Sequence, residues 1–599
     1  MRIVVCVKYV PVLRALRFDP ATRRLVREGV PGEPSAFDLR ALEGALALRA
    51  RHGGEVVALT MGPPAAREAL AECLALGADR GVHLCDPALA GSDTLATARA
   101  LAAALRAEAP DLILLGRASV DAETGQVGPE VAELLDLPQA TAVGRLELEP
   151  GARTFVAERE TDDGGETVVG PLPAVVTVGE DFAPERFPTK AERQVAAGRP
   201  VAVRTLADLE LAPAAVGPGG SPTWVAGLEP VPTTRRGEVL TGDSPAALAR
   251  ALAERLRALA PPAVEPPAPA VRGPGTGAPI WVVAEAGRSG WRPVTAELLT
   301  KAGALAAALG ASVEAVVVGG GGTAGAAALA GMGADRVLVA GDPGLEPYTT
   351  DAHAAVLAEA ILARRPRLVL LASTVRGRDL APRVAARLGL GLTGDAVDLD
   401  VDAEGRIRQL KPAFGGAIVA PILSRTTPVM ATVRPGLLAP ARPDPARRAA
   451  VEQLAVPALP ARVRVTGTRL AADGLDAQLD AADLVLGVGR GVGGPEGVAA
   501  VAALAARLGA ALAATRDVTD AGWLPRRLQV GLTGRAIAPR IYVALGVSGA
   551  IEHVVGLRRA GTIVAVDKNP KAPIFKSADL GLVADLAAFL PYLEAALRP

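Results

Sequence analysis

The chain is poor in the residues that bind metals or build covalent staples: 599 residues contain three cysteines and four histidines. Cys6, Cys73 and Cys85 lie far apart and none belongs to a CxxC pair. A disulfide framework and a four-cysteine iron–sulfur or zinc site are both excluded within one chain. No metal ligands are assigned, so redox chemistry here would belong to an organic cofactor. An excess of one charge is also missing: 64 basic residues face 64 acidic ones, without the basic stripe of a nucleic-acid surface. Long apolar runs are absent as well. Met1–Lys8 is too short for a signal peptide and reads as a buried first strand. The uncharged stretch 315–334 holds seven glycines, which argues against a membrane helix. The reading is a cytoplasmic protein, not membrane-embedded and with no nucleic-acid partner.

What is present is alanine, helix and short apolar strand. Length alone suggests three or four domains at ~150 residues each. Seven prolines and three glycines between Ala260 and Pro279 cannot build a helix or a central strand, and mark a linker at 259–279. On both sides, strands alternate with helical patterns, the sign of parallel α/β sheets. The sides also repeat each other. Gly77-Ala78-Asp79-Arg80 returns as Gly333-Ala334-Asp335-Arg336, Asp86-Pro87 as Asp342-Pro343, and Leu112-Ile113-Leu114-Leu115 as Leu368-Val369-Leu370-Leu371, each displaced by 256 positions. A duplicated α/β domain follows. After a second proline-rich stretch, Pro435–Pro460, a last α/β unit is expected from about Arg464. The divisions are thus 1–258, the linker, 280–440, a hinge at 441–463, and 464–599.

The last unit carries the clearest site. Gly489-Arg490-Gly491-Val492-Gly493-Gly494 follows a strand, precedes a helix and satisfies GxGxxG. Such glycines would let backbone approach a pyrophosphate, with Arg490 as a phosphate clamp. The pattern alone is also met by plain tight turns. A second junction, Gly546-Val547-Ser548-Gly549-Ala550-Ile551-Glu552-His553, predicts Ser548 as an N-cap and a helix start that favours negative charge. His553 would face the ligand, although a lone helical histidine more often serves packing. Thr515-Arg516-Asp517 ends a strand, and Val530-Gly531-Leu532-Thr533-Gly534 forms a glycine-rich loop. In the first half, Gly116–Gly128 follows the strand 112–115, where parallel sheets bind nucleotides.

These strings resemble the electron-transfer flavoprotein family. The second half is similar to its α subunit through Gly377-Arg378-Asp379-Leu380-Ala381-Pro382-Arg383, Pro412-Ala413-Phe414-Gly415-Gly416, Met430-Ala431-Thr432-Val433-Arg434-Pro435-Gly436, Ser548-Gly549-Ala550-Ile551 and Ala572-Pro573-Ile574-Phe575. The first half resembles the β subunit through Val5-Cys6-Val7-Lys8, Phe37-Asp38, Ala41-Leu42-Glu43 and the 116–128 loop. The resemblance implies a fusion equivalent to an αβ heterodimer. It would contain two duplicated adenine-nucleotide-hydrolase-like parallel-sheet domains and a C-terminal Rossmann-like FAD-binding domain. Positions matching the family's FAD contacts are Arg490, Thr515, Arg516, Val530, Gly531, Leu532, Thr533, Ser548, Gly549, Ala550, Ile551, Glu552, His553, Asp567, Asp585 and Leu586. Arg516 and His553 would stabilise negative charge on the reduced ring. Positions matching the family's AMP site, or a second FAD, are Cys6, Ser35, Phe37, Asp38, Met61, Gly116, Asp121, Thr124, Gly125, Gln126 and Val127. The resemblance further implies an electron carrier with no catalytic residues of its own. Its donors would be flavin-dependent dehydrogenases, as in fatty-acid β-oxidation, and its acceptor a membrane quinone oxidoreductase or another redox protein.

The chain departs from the family pattern at several places. Leu532 replaces glutamine, Thr515 serine and Glu552 glutamine. Asp567-Lys568-Asn569 inverts Asn-Lys-Asp, and Ser35-Ala36 stands for Asn-Pro. Lys190 takes the place of an apolar partner anchor. Three other readings remain open: a bifurcating flavoprotein with two FAD that oxidises NADH, a non-redox nucleotide sensor, and an NAD-dependent Rossmann dehydrogenase with Asp517 as its ribose acid.

Overall fold

The computed structural model describes all residues except 13–16, 20–23, 27–28, 120, 150, 152, 231–234, 259–274, 276, 289, 320–324, 414–417, 471–478, 480–481, 532–533, 558–559 and 598–599. Most of the expected linker, together with Leu532 and Thr533, lies outside the described residues.

Continuous runs of Val, Ile and Leu form strands here because parallel sheets are buried on both faces and need no polar alternation. Strand Leu112–Gly116 lies between Arg2–Cys6 and Ala174–Val178, and Leu368–Ala372 between Gly277–Val283 and Val429–Val433. The duplication is carried through both sheets. From the outer edge, the first half runs Val201–Arg204, Arg80–Leu84, Glu55–Met61, Arg2–Cys6, Leu112–Gly116, Ala174–Val178, Gln139–Glu149. The second runs Ala450–Gln453, Arg336–Ala340, Ala311–Val318, Gly277–Val283, Leu368–Ala372, Val429–Val433, Leu392–Ala396. The order is the same, element for element.

The halves exchange strands. Arg464–Leu470 pairs antiparallel with Gly164–Pro171 of the first half. Reciprocally, Thr223–Val225 and Glu229–Pro230 pair with Ile418–Ser424 of the second. A further exchange joins the first half to the final domain. Glu238–Leu240 is the edge strand beside Leu580–Val583, and the helix Pro245–Ala258 packs Leu248, Ala249 and Leu252 into that domain's core.

The sequence suggests a hinge at 441–463. The segment is tied to both duplicated domains: Ala450–Gln453 joins the second-half sheet, and Arg462 binds Asp351 of the second half at 2.9 Å and Asp136 of the first half at 2.8 Å. Just beyond it, Arg464–Leu470 still pairs with the first-half sheet.

Among the described residues no helix is long and apolar enough to cross a membrane, and no group of three or more His, Cys, Asp or Glu could hold a metal.

Candidate functional site

The final sheet is all parallel. Its order is Glu238–Leu240, Leu580–Val583, Thr562–Asp567, Ile541–Leu545, Leu484–Val488, Ala511–Ala514. The chain moves outward from Leu484–Val488 to Ala511–Ala514, then returns to Ile541–Leu545 on the other side. The order thus reverses between the first and last of these three strands, and a ligand crevice opens outside their carboxyl ends. Both glycine-rich junctions leave from this point.

The two loops lie against each other. Gly489 N–H donates to the Leu545 carbonyl and Gly491 N–H to the Gly546 carbonyl, each at 2.9 Å. A Cβ on Gly489 would stand 2.2 Å from the Gly546 oxygen, and one on Gly546 would stand 2.6 Å from the Gly491 carbonyl carbon. The first two glycines of GxGxxG are therefore needed for loop-on-loop packing, a role their spacing alone did not reveal. Gly493 and Gly494, at φ +91° and +145°, have open space where a Cβ would go. The helix Pro495–Leu508 begins directly after them.

The other matched positions collect along the same sheet edge. Thr515 follows Ala511–Ala514 and donates its N–H to the Val488 carbonyl at 3.0 Å. Its hydroxyl is buried and makes no hydrogen bond. Arg516 is exposed and pairs with Asp520 at 3.1 Å. Val530 N–H donates to the Ala514 carbonyl at 3.0 Å, bringing the 530–531 backbone beside Thr515. Gly531, at φ +136°, abuts the Glu552 carbonyl. Asp567 ends the strand Thr562–Asp567, with its carboxylate accepting from Asn569 N–H at 2.8 Å. Asp585 accepts from Ala588 N–H at 3.3 Å, capping the final helix that Leu586 opens. Arg490, Ala550 and Glu552 are exposed.

Two expectations change. Ser548 is not an N-cap: the helix is the single turn Ile551–Val554, and Ser548 instead accepts at its carbonyl from Ile574 N–H at 3.0 Å. Gly549 packs on Ile574, where a Cβ would stand 2.2 Å from its nitrogen. Nor does His553 offer a positive charge. It is buried, with Nδ1 2.9 Å from the Val530 carbonyl and Nε2 2.8 Å from the Tyr542 hydroxyl. A carbonyl only accepts, so Nδ1 carries the proton and Tyr542 donates to Nε2. Burial pushes the imidazole down to about 4. Tyr542 was not singled out in the sequence. Its signal is Gly487, where a Cβ would stand 1.7 Å from the Tyr542 hydroxyl oxygen.

The first-half positions gather at the equivalent reversal, between Arg2–Cys6 and Leu112–Gly116. Asp38 joins the two strand ends, accepting from Lys8 N–H and Gly116 N–H at 2.9 Å each; burial lifts its carboxyl to about 7. A Cβ on Gly116 would stand 2.5 Å from that of Phe37. Cys6 is buried at the end of its strand, and Met61 ends the neighbouring strand Glu55–Met61. Ser35 precedes the helix Ala36–His52, and its buried hydroxyl makes no hydrogen bond. Asp121 pairs with Lys8 at 2.8 Å. Gly125 takes φ +65°. Gln126 accepts from the Thr94 hydroxyl at 2.6 Å and donates to the Leu392 carbonyl of the second half at 3.2 Å. Val127 opens the helix Val127–Leu134.

Beside this loop lies a buried charge cluster that the sequence reading missed. Asp395 accepts from Arg378 at 2.8 Å and pairs with Arg434. Burial raises its carboxyl, but the two guanidiniums overcome that and hold it well below the usual range. Glu123, from the first-half loop, is 3.9 Å from Arg434. Lys411 donates to the Gly394 carbonyl at 2.7 Å, and burial pushes it down to about 8. Arg434 Nη1 is buried and makes no hydrogen bond. In the sequence the strings around 378 and 430–436 stand out only as family resemblance, not as charges that burial forces together.

Comparison with known proteins agrees with this layout. The electron transfer flavoprotein domain matches residues 22–209 and 280–459, and the electron transfer flavoprotein FAD-binding domain matches 478–558. The "Electron transfer flavoprotein subunit alpha" of Thermoanaerobacterium thermosaccharolyticum is 40% identical over 316 residues, covering 52% of this chain and 96% of that protein. "Protein FixB" of Rhizobium meliloti is 37% identical over 321 residues, covering 52% and 91%. The "Lactate dehydrogenase (NAD(+),ferredoxin) subunit LctC" of Acetobacterium woodii is 38% identical over 304 residues, covering 50% and 72%. Two copies of the electron transfer flavoprotein domain, followed by that family's FAD-binding domain, stand on one polypeptide, and the chain belongs to the electron transfer flavoprotein family.

Proposed function

We propose that this chain is a single-polypeptide electron carrier. It takes electrons from flavin-dependent dehydrogenases onto one FAD in the final domain and passes them to a quinone oxidoreductase or another redox acceptor. The observation that carries the reading is the meeting of the 489–494 and 546–550 loops at the reversal of the final sheet. The residues there fit FAD. The buried, unpartnered Thr515 hydroxyl awaits an acceptor or donor. Gly493 and Gly494 leave backbone open at the start of the helix Pro495–Leu508, where N–H groups suit a pyrophosphate. Bound FAD would supply the one- and two-electron chemistry. The protein would orient it, exclude water and hold charge near it. With His553 neutral, Arg516 and Arg490 are the cations among the matched positions that could face the reduced ring. In the first half, the Asp38–Gly116 crevice would hold AMP. We place the carrier in the cytoplasm as a monomer equivalent to an αβ pair.

The docking surface for donors is assigned to the segment around the helix Lys190–Ala196. Thr189 and Glu192 cap it reciprocally, and Phe187 and Val195 stand 68% and 79% exposed. These two side chains would supply the apolar anchor that Lys190 does not.

One observation favours a second reading, in which a second FAD replaces AMP and the chain bifurcates electrons from NADH. Arg434 Nη1 is buried without a hydrogen bond, at the edge of the 117–126 loop. That is a desolvation cost which a further anionic or carbonyl group reaching from the first-half crevice would relieve.

Extraction and quantification of bound nucleotides tests both readings. One FAD and one AMP per chain support the carrier, and two FAD support bifurcation. A protein that retains no flavin from excess FAD overturns the function. Thr515→Val is expected to weaken FAD binding about tenfold, or ~1–2 kcal/mol, through loss of one hydrogen bond to the cofactor. Titration of the apoprotein should show this while the apoprotein melting temperature stays within 1–2 °C, because the hydroxyl has no protein partner to lose.

A further inference from the structure

The duplicated domains present two equivalent crevices, and the second is filled from within. In the second half the strand order reverses between Gly277–Val283 and Leu368–Ala372. Only Ser373 and Thr374 separate the latter strand from the helix Val375–Leu388, whereas residues 117–126 intervene at the matching place in the first half. The first three N–H groups of that helix are all taken. Val375 donates to Asp162 Oδ1 at 3.0 Å, Arg376 to Asp162 Oδ2 at 3.2 Å, and Gly377 to the Thr374 hydroxyl at 3.0 Å.

Asp162 comes from the other half. With Asp163 it forms the two-residue tip of the first-half hairpin, between the paired residues Thr161 and Gly164. The tip is anchored on both sides. The Asp163 carboxylate accepts from Arg292 and the Asp163 carbonyl from Arg288. Behind it Glu285, its side chain 8% exposed, accepts from the Thr374 hydroxyl at 2.7 Å and pairs with Arg292 at 2.8 Å. In the second half the sequence between the paired strands Ile407–Ala413 and Ile418–Ser424 is Phe414-Gly415-Gly416-Ala417 and contains no acid.

We propose that Asp162 is a built-in phosphate surrogate: it closes the second-half copy of the nucleotide crevice, so that nucleotide binding in the duplicated pair is reserved to the first half. Two oxygens of one anion on two successive N–H groups at a helix start is the arrangement a phosphate takes there. A free phosphate would compete with a tethered carboxylate present at high effective concentration, and would meet Glu285 behind it. The assignment rests on reading the first-half crevice as a nucleotide site, but its test does not.

Thermal melts of the full flavin-loaded chain, in sodium sulfate and in sodium chloride at matched ionic strength, decide it. Wild type should respond alike to both salts. Asp162→Ala should melt lower and be restored by millimolar sulfate, at a concentration at least tenfold below any sulfate-specific effect on wild type. Should the alanine variant fold poorly, Asp162→Asn keeps the side-chain shape, loses the charge, and should show the same sulfate preference. Asp163→Ala should melt lower without gaining that preference, because it leaves both N–H groups covered. Equal sulfate responses in wild type and the Asp162 variants overturn the proposal. Wild-type protein free of AMP or a second FAD would instead remove the first-half nucleotide reading and leave the sulfate comparison standing.

Discussion

Gly489→Ala should purify without flavin. The added Cβ would lie 2.2 Å from the Gly546 carbonyl oxygen and 2.6 Å from Val547 Cα. Both are backbone atoms, which cannot rotate aside as a side-chain tip can. Relief requires the 546–550 loop to move, and that breaks the Gly491 N–H bond to the Gly546 carbonyl. Overpacking of this kind costs about 1–3 kcal/mol or more. The cost falls on the two loops that form the mouth of the FAD crevice, so the site distorts before the sheet does. The expected loss of FAD affinity is a hundredfold or greater, with far-UV circular dichroism unchanged. Gly509→Ala, at the far end of the helix Pro495–Leu508, is the comparison: its φ of +63° disfavours alanine, but nothing lies within 4 Å of the new methyl. It should keep flavin and lose only about 1 kcal/mol of stability. The measurement is flavin absorbance relative to protein after gel filtration with excess FAD. If Gly489→Ala holds FAD at wild-type stoichiometry, the two loops do not form the site.

Those glycines show where sequence reading reached its limit. The motif marked the right loop, because a strand, then glycines, then Pro495 can hardly be anything but a tight turn into a helix. It did not reveal the packing partner of the first two glycines, because periodicity along one strand says nothing about a loop sixty residues on. The same limit explains the buried charges. Arg378, Asp395, Lys411 and Arg434 are scattered over some sixty positions and look like ordinary surface residues. Only the fold of the second-half sheet brings them beside Glu123. His553 was legible as a site position but not as a neutral ring, since its protonation is set by Tyr542 and the Val530 carbonyl. The duplication, by contrast, was legible at once. A repeated offset survives divergence in the strands that both copies must bury, and the two sheets carry the same strand order.

Asp379→Ala should loosen the contact between the duplicated halves more than any other single change at that surface. Asp379 is fully buried and serves both halves at once. Its Oδ1 accepts from Gln139 Nε2 and the Thr141 hydroxyl of the first half, each at 2.7 Å. Its Oδ2 accepts from the Tyr348 hydroxyl at 2.7 Å and from the Thr350 hydroxyl of the second. Arg159 stands 3.8 Å away, itself buried. Alanine removes the side-chain acceptor of four donors and leaves Arg159 with Glu166 as its carboxylate partner, a loss of about 3 kcal/mol. The charge gives the loss a pH signature. Burial raises this carboxyl, but Arg159 and the hydrogen bonds outweigh it and hold the group below its ordinary value. A depressed folded-state value means that its stabilisation is complete above the unfolded value, near ~4, and fades as pH falls through the folded one. Urea unfolding of wild type and Asp379→Ala should therefore differ by a constant amount from pH 5 to 8. The gap should narrow in acid as wild type loses the charge that the variant never had. A gap below 1 kcal/mol at pH 7, or one that widens in acid, would mean that Asp379 does not hold the halves together. Because the strand exchange at Arg464–Leu470 and the Asp162 contact both run from one half to the other, loosening this joint should also raise amide exchange at Val375 and Arg376, which lie four and three residues before Asp379 on the same helix.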